Sequence, residues 1–262
     1  LEAYDDADRR LGAWSRLDSP PGAQRPQGRV MAKQSFFGEA FPLAAIAVAL
    51  PEAQIGLAKE FLSGASRGSI RALLQQSAAD PAQVEWTRER SYRHANGFLK
   101  LTIAEARGVR LRMHIWPTAQ TWNGNIHNHR WNFASRILTG TMEDSRFTVT
   151  EPGRGSIAAR YCRDVENVED LTRFREVGVK LDSRMLHREG STYTMNSDSF
   201  HMISGSYSRS DEIVSLVITC APVRPDSLVV GLGGERPLRD VNHGKLTNLE
   251  VGAQLVSVAD AI

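Results

Sequence analysis

The chain has 262 residues, of which 41% are hydrophobic, and its 32 basic and 30 acidic residues leave a net charge of +2. This length allows a domain with a sizeable core, and the composition is typical of a globular protein. The near-neutral charge, without any block of Lys or Arg, argues against a nucleic-acid partner. No apolar run approaches the roughly 20 residues of a membrane span.

The first part of the chain predicts a leader followed by helices. Residues 1–35 are expected to be flexible, since the stretch Asp18–Arg29 is rich in Pro, Gly and charge. Two cysteines and no recognisable signal peptide predict a cytoplasmic protein with reduced thiols. Residues 36–90 predict a helical segment packed on the following domain, because apolar residues recur at helical spacing in "PEAQIGLAKEFL" and "SRGSIRALLQQ". Ser66 or Ser69 is suited to cap the second helix, and "ADP" ends it.

Residues 91–225 predict a β-domain, because the hydrophobic period changes from 3.6 to 2. The stretch "GFLKLTIAEARGVRLRMHIWP" is typical of a hairpin, and one face of its second strand carries Arg110, Arg112, His114 and Trp116. Six further short strands follow without helices between them, which indicates an antiparallel sandwich or barrel. Residues 226–262 are less regular and predict a C-terminal extension over the barrel.

Two segments carry histidines that could bind a metal. "NIHNHRWNFASRILTG" places His127 and His129 two positions apart, so that on a strand both side chains point to one side. "GSTYTMNSDSFHMIS" predicts a strand, a tight turn and a returning strand, which can bring His201 back to the same sheet. The pair alone is more typical of a structural or solvent-facing strand. The spacing around it and the returning hairpin favour a metal site.

These two segments resemble the two motifs of the cupin superfamily, Gly-x5-His-x-His-x3,4-Glu-x6-Gly and Gly-x5-Pro-x-Gly-x2-His-x3-Asn. The positions that match are His127, His129, Gly140, Gly190 and His201. Phe133 stands where the motif has its glutamate. The resemblance implies a mostly β fold, the double-stranded β-helix or jelly-roll barrel, with an N-terminal helical layer and a metal held by the three histidines.

Three histidines without a carboxylate resemble the ligand set of the thiol dioxygenases, of which cysteine dioxygenase is the best known. The helices before the barrel and the stretches "YRHANGF" and "VSLVITCAP" are similar as well. The chain departs from that enzyme at three points. Phe133 and Ala134 stand where its cross-linking cysteine would fall, and Thr219 replaces its late tyrosine. In its Ser-x-His pair only Ser215 is present, since Val217 replaces the histidine. The resemblance therefore implies the same shape with a different substrate.

Three neutral imidazoles leave up to three metal positions open, so that Fe(II) can take a chelating substrate and O2 together. The sequence therefore predicts a non-haem Fe(II) dioxygenase or other oxygenase acting on a small polar, carboxylate-bearing metabolite. Imidazole serves Zn, Ni and other divalent first-row metals equally, and two alternatives remain open. One is a non-redox isomerase, lyase or hydrolase with Zn or Ni, and the other is a cupin that binds a ligand without turnover. The resemblance also allows a homodimer.

Several residues around the predicted metal are candidates for substrate binding. An arginine can hold a carboxylate through two parallel hydrogen bonds, and the candidates in order are Arg93, Arg112 and Arg136. Arg93 comes first because "YR" precedes the first barrel strand, where the related dioxygenases place their carboxylate-binding arginine. An outward Arg136 is equally compatible with the pattern. The remaining candidates, which are expected to line the mouth or the site, are His94, His114, Trp116 and Phe133.

Overall fold

The computed structural model describes residues 43–94, 96–116, 122–123, 125–163, 169–205, 212–233 and 244–262. These residues all belong to one unit of the chain, and the predicted leader, residues 1–35, lies outside them. Within the described ranges, no helix has the length and apolar character needed to cross a membrane.

The described residues form five helices and thirteen strands. The helices are α1 (Leu43–Val48), α2 (Pro51–Gly64), α3 (Arg67–Ala79), α4 (Pro81–Glu89) and α5 (Asn248–Ala261). The strands are β1 (Tyr92–Arg93), β2 (Leu99–Ala106), β3 (Val109–Trp116), β4 (Trp122–Asn123), β5 (Ile126–His127), β6 (Trp131–Thr139), β7 (Thr141–Thr150), β8 (Ser156–Arg163), β9 (Glu169–Arg188), β10 (Thr192–Met195), β11 (Phe200–Gly205), β12 (Ile213–Pro222) and β13 (Ser227–Leu232). Four helices precede residue 90 and the strands follow it, as the predicted change of the hydrophobic period from 3.6 to 2 requires. The sequence pattern does not predict the 20-residue β9, the strand β13 or the long α5.

Local capping explains how the helical layer begins and ends. Ser66 caps α3, as predicted, because its Oγ accepts a hydrogen bond from the Ser69 N–H at 3.0 Å. Asp80 follows α3 and caps α4 by accepting from the Ala82 N–H at 2.9 Å, with Pro81 in the first helical position. The sequence "ADP" therefore both ends one helix and begins the next. The C-terminal α5 packs against α3 and α4.

The first sheet has the strand order β1-β2-β3-β12-β6-β10, and its outer face packs on the helices. Leu111 and Met113 of β3 share one buried cluster with Leu62 of α2, and each such buried side chain contributes roughly 1.5–3 kcal/mol. Successive side chains of a strand alternate between faces, so Arg112 and His114 face the interior of the jelly roll. The predicted hairpin is confirmed by the antiparallel pairing of β2 with β3.

The second sheet closes into a ring of six strands, β11-β5-β13-β8-β9-β7, because β7 also pairs with β11. Apolar residues fill the ring, among them Ile126, Val177 and Val230. On β11, Phe200 and Met202 pack into this ring. The alternating residue His201 therefore faces the space between the two sheets. The predicted fold, mostly β with two antiparallel sheets and N-terminal helices, is confirmed, and the closed ring is an addition to it.

The two motif glycines occupy turns that need positive φ angles. Gly140, between β6 and β7, has φ +77°, and Gly190, which follows β9, has φ +82°. A Cβ at Gly140 would lie 3.0 Å from the side chain of Ile213. Both positions therefore favour glycine for reasons of backbone geometry rather than of chemistry.

Arg136 lies on the outer face of β6, which corrects its prediction as a substrate-binding residue. Its Nη1 donates to the carbonyl oxygens of Leu62, at 2.8 Å, and Ala65. Those carbonyls belong to the C-terminal end of α2, where backbone oxygens lack partners within the helix. Arg136 therefore joins α2 to the barrel.

We expect the substitution Arg136→Met to lower the free energy of unfolding by about 2 kcal/mol, because hydrogen bonds from a charged group contribute about 1.5–3 kcal/mol. Chemical denaturation measures this, and metal binding should not change. The matched control is Arg188→Met, at an exposed position of β9, which should change stability by less than about 0.5 kcal/mol. Equal effects of the two substitutions would contradict this role for Arg136.

Candidate metal centre

Three histidines meet between the sheets. His127 ends β5, His201 is its direct partner on β11, and His129 lies in the loop after β5. The Nε2 atoms of His129 and His201 are 2.9 Å apart, and the candidate ligand nitrogens of all three lie within 4.8 Å of one another. Two nitrogens bound to one ion at about 2.1 Å and at right angles are about 3.0 Å apart. His129 and His201 therefore have the spacing of adjacent ligands.

Hydrogen bonds on both sides hold the His-x-His segment in place. Asn128, between the two histidines, is buried and bonds to Leu228 of β13 twice. Its N–H donates to the Leu228 carbonyl at 3.1 Å, and its Oδ1 accepts from the Leu228 N–H at 2.7 Å. The His129 N–H donates to the carbonyl of Ser197, in the turn before His201, at 3.2 Å. The segment is thus tied to β13 and to the second motif at once.

The far nitrogens of two histidines are occupied by acceptors, which sets their tautomers. Nδ1 of His127 lies 2.8 Å from the carbonyl oxygen of Asn125, and Nδ1 of His201 lies 3.0 Å from Oδ1 of Asp144. A carbonyl and a carboxylate only accept, so both Nδ1 atoms donate. The Nε2 lone pairs are then left for a metal, in the arrangement that is common around metal-binding histidines.

Asp144 is the residue of this centre that sequence reasoning missed. It is fully buried, and it also accepts from Nε of Arg146 at 2.8 Å and faces Nε2 of His187 at 3.4 Å. Burial by itself raises the pKa of Asp144, but the hydrogen bonds from His187 and His201 and the charge of Arg146 outweigh burial and hold the pKa below its usual range. The carboxylate therefore stays charged behind His201.

Burial keeps the imidazoles in the form that a metal binds. Burial, and after it the neighbouring His201, lower the pKa of His127 to about 3. Burial also lowers the pKa of His129 well below its usual 6.5, with His127 adding to the effect. Metal ions bind neutral imidazole, so protons compete little at these two residues near neutral pH. The donor set fits one divalent ion.

Phe133 packs against the histidines at the position where the cupin motif has its glutamate. Its ring centroid lies 5.0 Å from that of His129, edge-on, and 6.3 Å from that of His201. Its other neighbours include the apolar Met195 and Val217, and the ring of Tyr193 lies 6.2 Å from its own, between centroids. In the described part of the chain, the group of possible metal ligands consists of the three histidines and includes no carboxylate.

Two cationic side chains, Arg112 and Lys100, lie near the histidines on the inner face of the first sheet and are called the cationic wall below. The guanidinium of Arg112 is 4.8 Å from the ring of Trp131, and Nζ of Lys100 is 5.8 Å from the same ring. Trp131 in turn lies 6.3 Å from His129, between ring centroids. Arg112 is 5% exposed, and this burial lowers its pKa to about 10, so it remains charged at neutral pH. The wall is suited to attract an anion towards the metal centre.

Of the other predicted substrate-binding residues, His114 and Trp116 are on this inner face. The ring of Phe98 lies 4.9 Å from each of them, and His94 stacks on Phe98 at 4.5 Å. Trp116 is buried among apolar residues. His94 contacts the wall through Phe98 and does not join the histidine group.

The prediction that Arg93 binds the substrate is corrected by its position. Arg93 is exposed, and its Nη2 donates to Oε1 of Glu250 in α5 at 2.6 Å. The reason is that successive side chains of β1 point to opposite faces of the sheet. Tyr92 is the direct partner of Lys100, which belongs to the inner wall, so the next residue points to the opposite face.

No protein-family model matches the chain, and neither does any curated protein. Solved structures that are similar to it include an oxalate oxidase in complex with the substrate analogue glycolate, with 16% identity and a TM-score of 0.31 over 51% of this chain and 55% of that chain. A cupin superfamily protein from Desulfitobacterium hafniense has 12% identity and a TM-score of 0.29 over 49% of this chain and 81% of that chain. A hydroquinone 1,2-dioxygenase in complex with Cd2+ and 4-hydroxybenzonitrile has 12% identity and a TM-score of 0.30 over 47% of this chain and 63% of that chain.

The chain thus spans about half the length of the oxalate oxidase with which it aligns. Cupin superfamily proteins are among the solved structures that are similar to it. The resemblance to the thiol dioxygenases stays a prediction. The geometry of the three histidines indicates a metal centre.

Proposed function

We propose that the chain is a metal-dependent oxygenase of the cupin type, which uses Fe(II) and acts on a small carboxylate-bearing metabolite. The observation that carries the proposal is the convergence of His127, His129 and His201, with ligand nitrogens within 4.8 Å of one another and no carboxylate in the group among the described residues. A neutral ligand set leaves the full 2+ charge of the ion available to an anionic substrate.

An Fe(II) ion held by these histidines supplies open positions for a substrate and O2 together. The residues around it have separate tasks. Asp144 and the carbonyl of Asn125 orient His201 and His127. Phe133 and its apolar neighbours fill the side where a fourth protein ligand would stand, and so keep water from that side.

The cationic wall is the reason why the proposed substrate carries a carboxylate. Arg112 and Lys100 carry two positive charges beside the centre, whereas the whole chain has a net charge of only +2. In a cleft with low-dielectric walls, such charges raise the local concentration of anions. Arg112 is the better candidate for direct contact, since a guanidinium matches a carboxylate with two parallel hydrogen bonds.

The test of the proposal is O2 uptake by anaerobically purified protein loaded with one equivalent of Fe(II). We expect uptake only after addition of a substrate from a panel of small hydroxy, keto, amino and thiol carboxylic acids. The Zn(II)-loaded protein is the matched control and should consume none. Turnover by the Zn(II) or Ni(II) form without O2 would favour a non-redox enzyme instead. Binding of acids without turnover in any metal form would favour a ligand-binding protein.

With a substrate in hand, we expect Arg112→Met to raise KM by about tenfold or more, because charged hydrogen bonds contribute about 1.5–3 kcal/mol each and 1.4 kcal/mol is a factor of ten. Metal affinity should stay unchanged. The matched control is Arg110→Met, on the same face of β3, since Arg110 is paired with Glu105 at 2.9 and 3.2 Å. An equal KM for the Arg112→Met variant and the unmodified protein would contradict the role of Arg112.

A further inference from the structure

Four buried polar atoms on the inner face of the first sheet have no hydrogen-bond partner among the described residues. Three of them, Nε of Arg112, Nε2 of His114 and Oγ of Ser215, lie on the neighbouring strands β3 and β12, and the fourth is Oγ of Ser135 on β6. Most buried polar groups in folded proteins are paired, so a cluster of unpaired ones needs an explanation. The helices cannot supply partners, because these side chains face away from the helical layer.

The three groups are neighbours in the sheet. Ser215 of β12 is the direct partner of His114 of β3, and Arg112 precedes His114 by two residues on the same face. Directly opposite side chains of paired strands have Cβ atoms about 4.5–5.5 Å apart. The partner of Arg112 on β12 is Val217, which offers no hydrogen bond. The three side chains are therefore close enough together for one small molecule to span them.

The surroundings define what such a molecule must carry. The rings of Phe98 and Trp116 lie 4.9 and 5.6 Å from that of His114. Burial lowers the pKa of His114 well below its usual value, and the charges of Lys100 and Arg112 lower it further, so His114 is neutral. Next to the cation of Arg112, the cluster thus presents two uncharged hydrogen-bonding groups, the imidazole and the Ser215 hydroxyl.

We propose that Arg112, His114 and Ser215 form a substrate subsite for a hydroxycarboxylate, in which Arg112 holds the carboxylate while His114 and Ser215 hold the hydroxyl. This inference rests on the proposed function, since it describes the part of the substrate that does not bind the metal. A carboxylate satisfies the unpaired guanidinium N–H. A hydroxyl, which is both donor and acceptor, satisfies the imidazole and the serine together.

The test compares two dicarboxylic acids that differ by one hydroxyl, malate and succinate, as ligands of the Zn(II)-loaded protein in calorimetric titrations. We expect malate to bind at least about tenfold more tightly, the effect of two neutral hydrogen bonds. The variant Ser215→Ala should reduce this ratio to about threefold or less and leave the Kd of succinate unchanged. The variant Ser77→Ala is the control, because Ser77 is a buried serine of α3 that donates to the Leu73 carbonyl.

The other outcomes separate the subsite from the function on which it rests. If both acids bind equally, and Ser215→Ala changes neither affinity, the subsite is overturned while the anionic substrate stands. If malate keeps its advantage in the Ser215→Ala variant, the hydroxyl binds at the metal, and the subsite is overturned as well. If neither acid binds a protein that retains Zn(II), the anionic substrate of the proposed function is contradicted, and the subsite with it.

Discussion

His127→Ala and His129→Ala are each expected to lower the affinity for Fe(II) or Zn(II) by more than about a hundredfold. Loss of a residue that only supports a metal ligand costs about 10–100-fold, and loss of the ligand itself should exceed this. The barrel should remain folded, since Nδ1 of His127 bonds to a backbone carbonyl and neither histidine belongs to the main apolar clusters. Metal content after dialysis and calorimetric titration measure the effect, and circular dichroism checks the fold.

The control for these two variants is His94→Ala, which removes an imidazole that stacks on Phe98 outside the histidine group. It should bind one ion per chain with unchanged affinity. If His127→Ala and His129→Ala kept full metal occupancy, the assignment of the centre to these residues would be wrong. If His94→Ala lost the metal as well, the loss would reflect general damage to the barrel rather than removal of a ligand.

Asp144→Asn is expected to lower metal affinity by about 10–100-fold and the free energy of unfolding by about 3 kcal/mol. The first effect arises because the carboxylate orients His201 through its Nδ1–H at 3.0 Å. The second arises because Arg146, which the same carboxylate bonds at 2.8 Å, would lose its buried counter-charge. An asparagine can accept at only one atom, so it cannot serve both partners.

Titration with Zn(II) and chemical denaturation together test this prediction. The matched control is Asp182→Asn on β9, because Asp182 is exposed and accepts from the Thr148 hydroxyl at 2.7 Å. This control should leave metal affinity unchanged and alter stability by less than about 0.5 kcal/mol. A loss of stability in Asp144→Asn without any loss of metal affinity would show that Asp144 serves the fold alone.

The sequence predicted those parts of the architecture that depend on the pattern of neighbouring residues. The change from helical to strand period separates the helical layer from the barrel, and the alternation in β3 predicts which face of the first sheet carries Arg112 and His114. The closed ring was beyond prediction because it depends on long-range pairing, of β7 with β11 and of β5 with β13. No pattern of neighbouring residues records such contacts.

The clustering of three histidines was predicted from the sequence, whereas the carboxylate behind them was missed. The spacing of the two motifs predicted that His127, His129 and His201 meet, and in the structure their candidate ligand nitrogens lie within 4.8 Å of one another. Asp144 lies 57 residues from His201 in the sequence, and a lone acid in a strand carries no signal of such a partner. The orientation of Arg93 was predicted wrongly because β1 has only two residues, which are too few to show which of its side chains face the interior.

The most direct test of the metal centre is anomalous diffraction from crystals of the Zn(II)- or Fe(II)-loaded protein. We predict one anomalous peak per chain, about 2.0–2.2 Å from Nε2 of each of His127, His129 and His201, the usual range for metal–nitrogen bonds. Phe133 should remain beside it, with no protein carboxylate bound. A carboxylate oxygen of Glu143 or Asp198 within about 2.0–2.6 Å of the ion, or a peak elsewhere in the chain, would contradict the three-histidine centre.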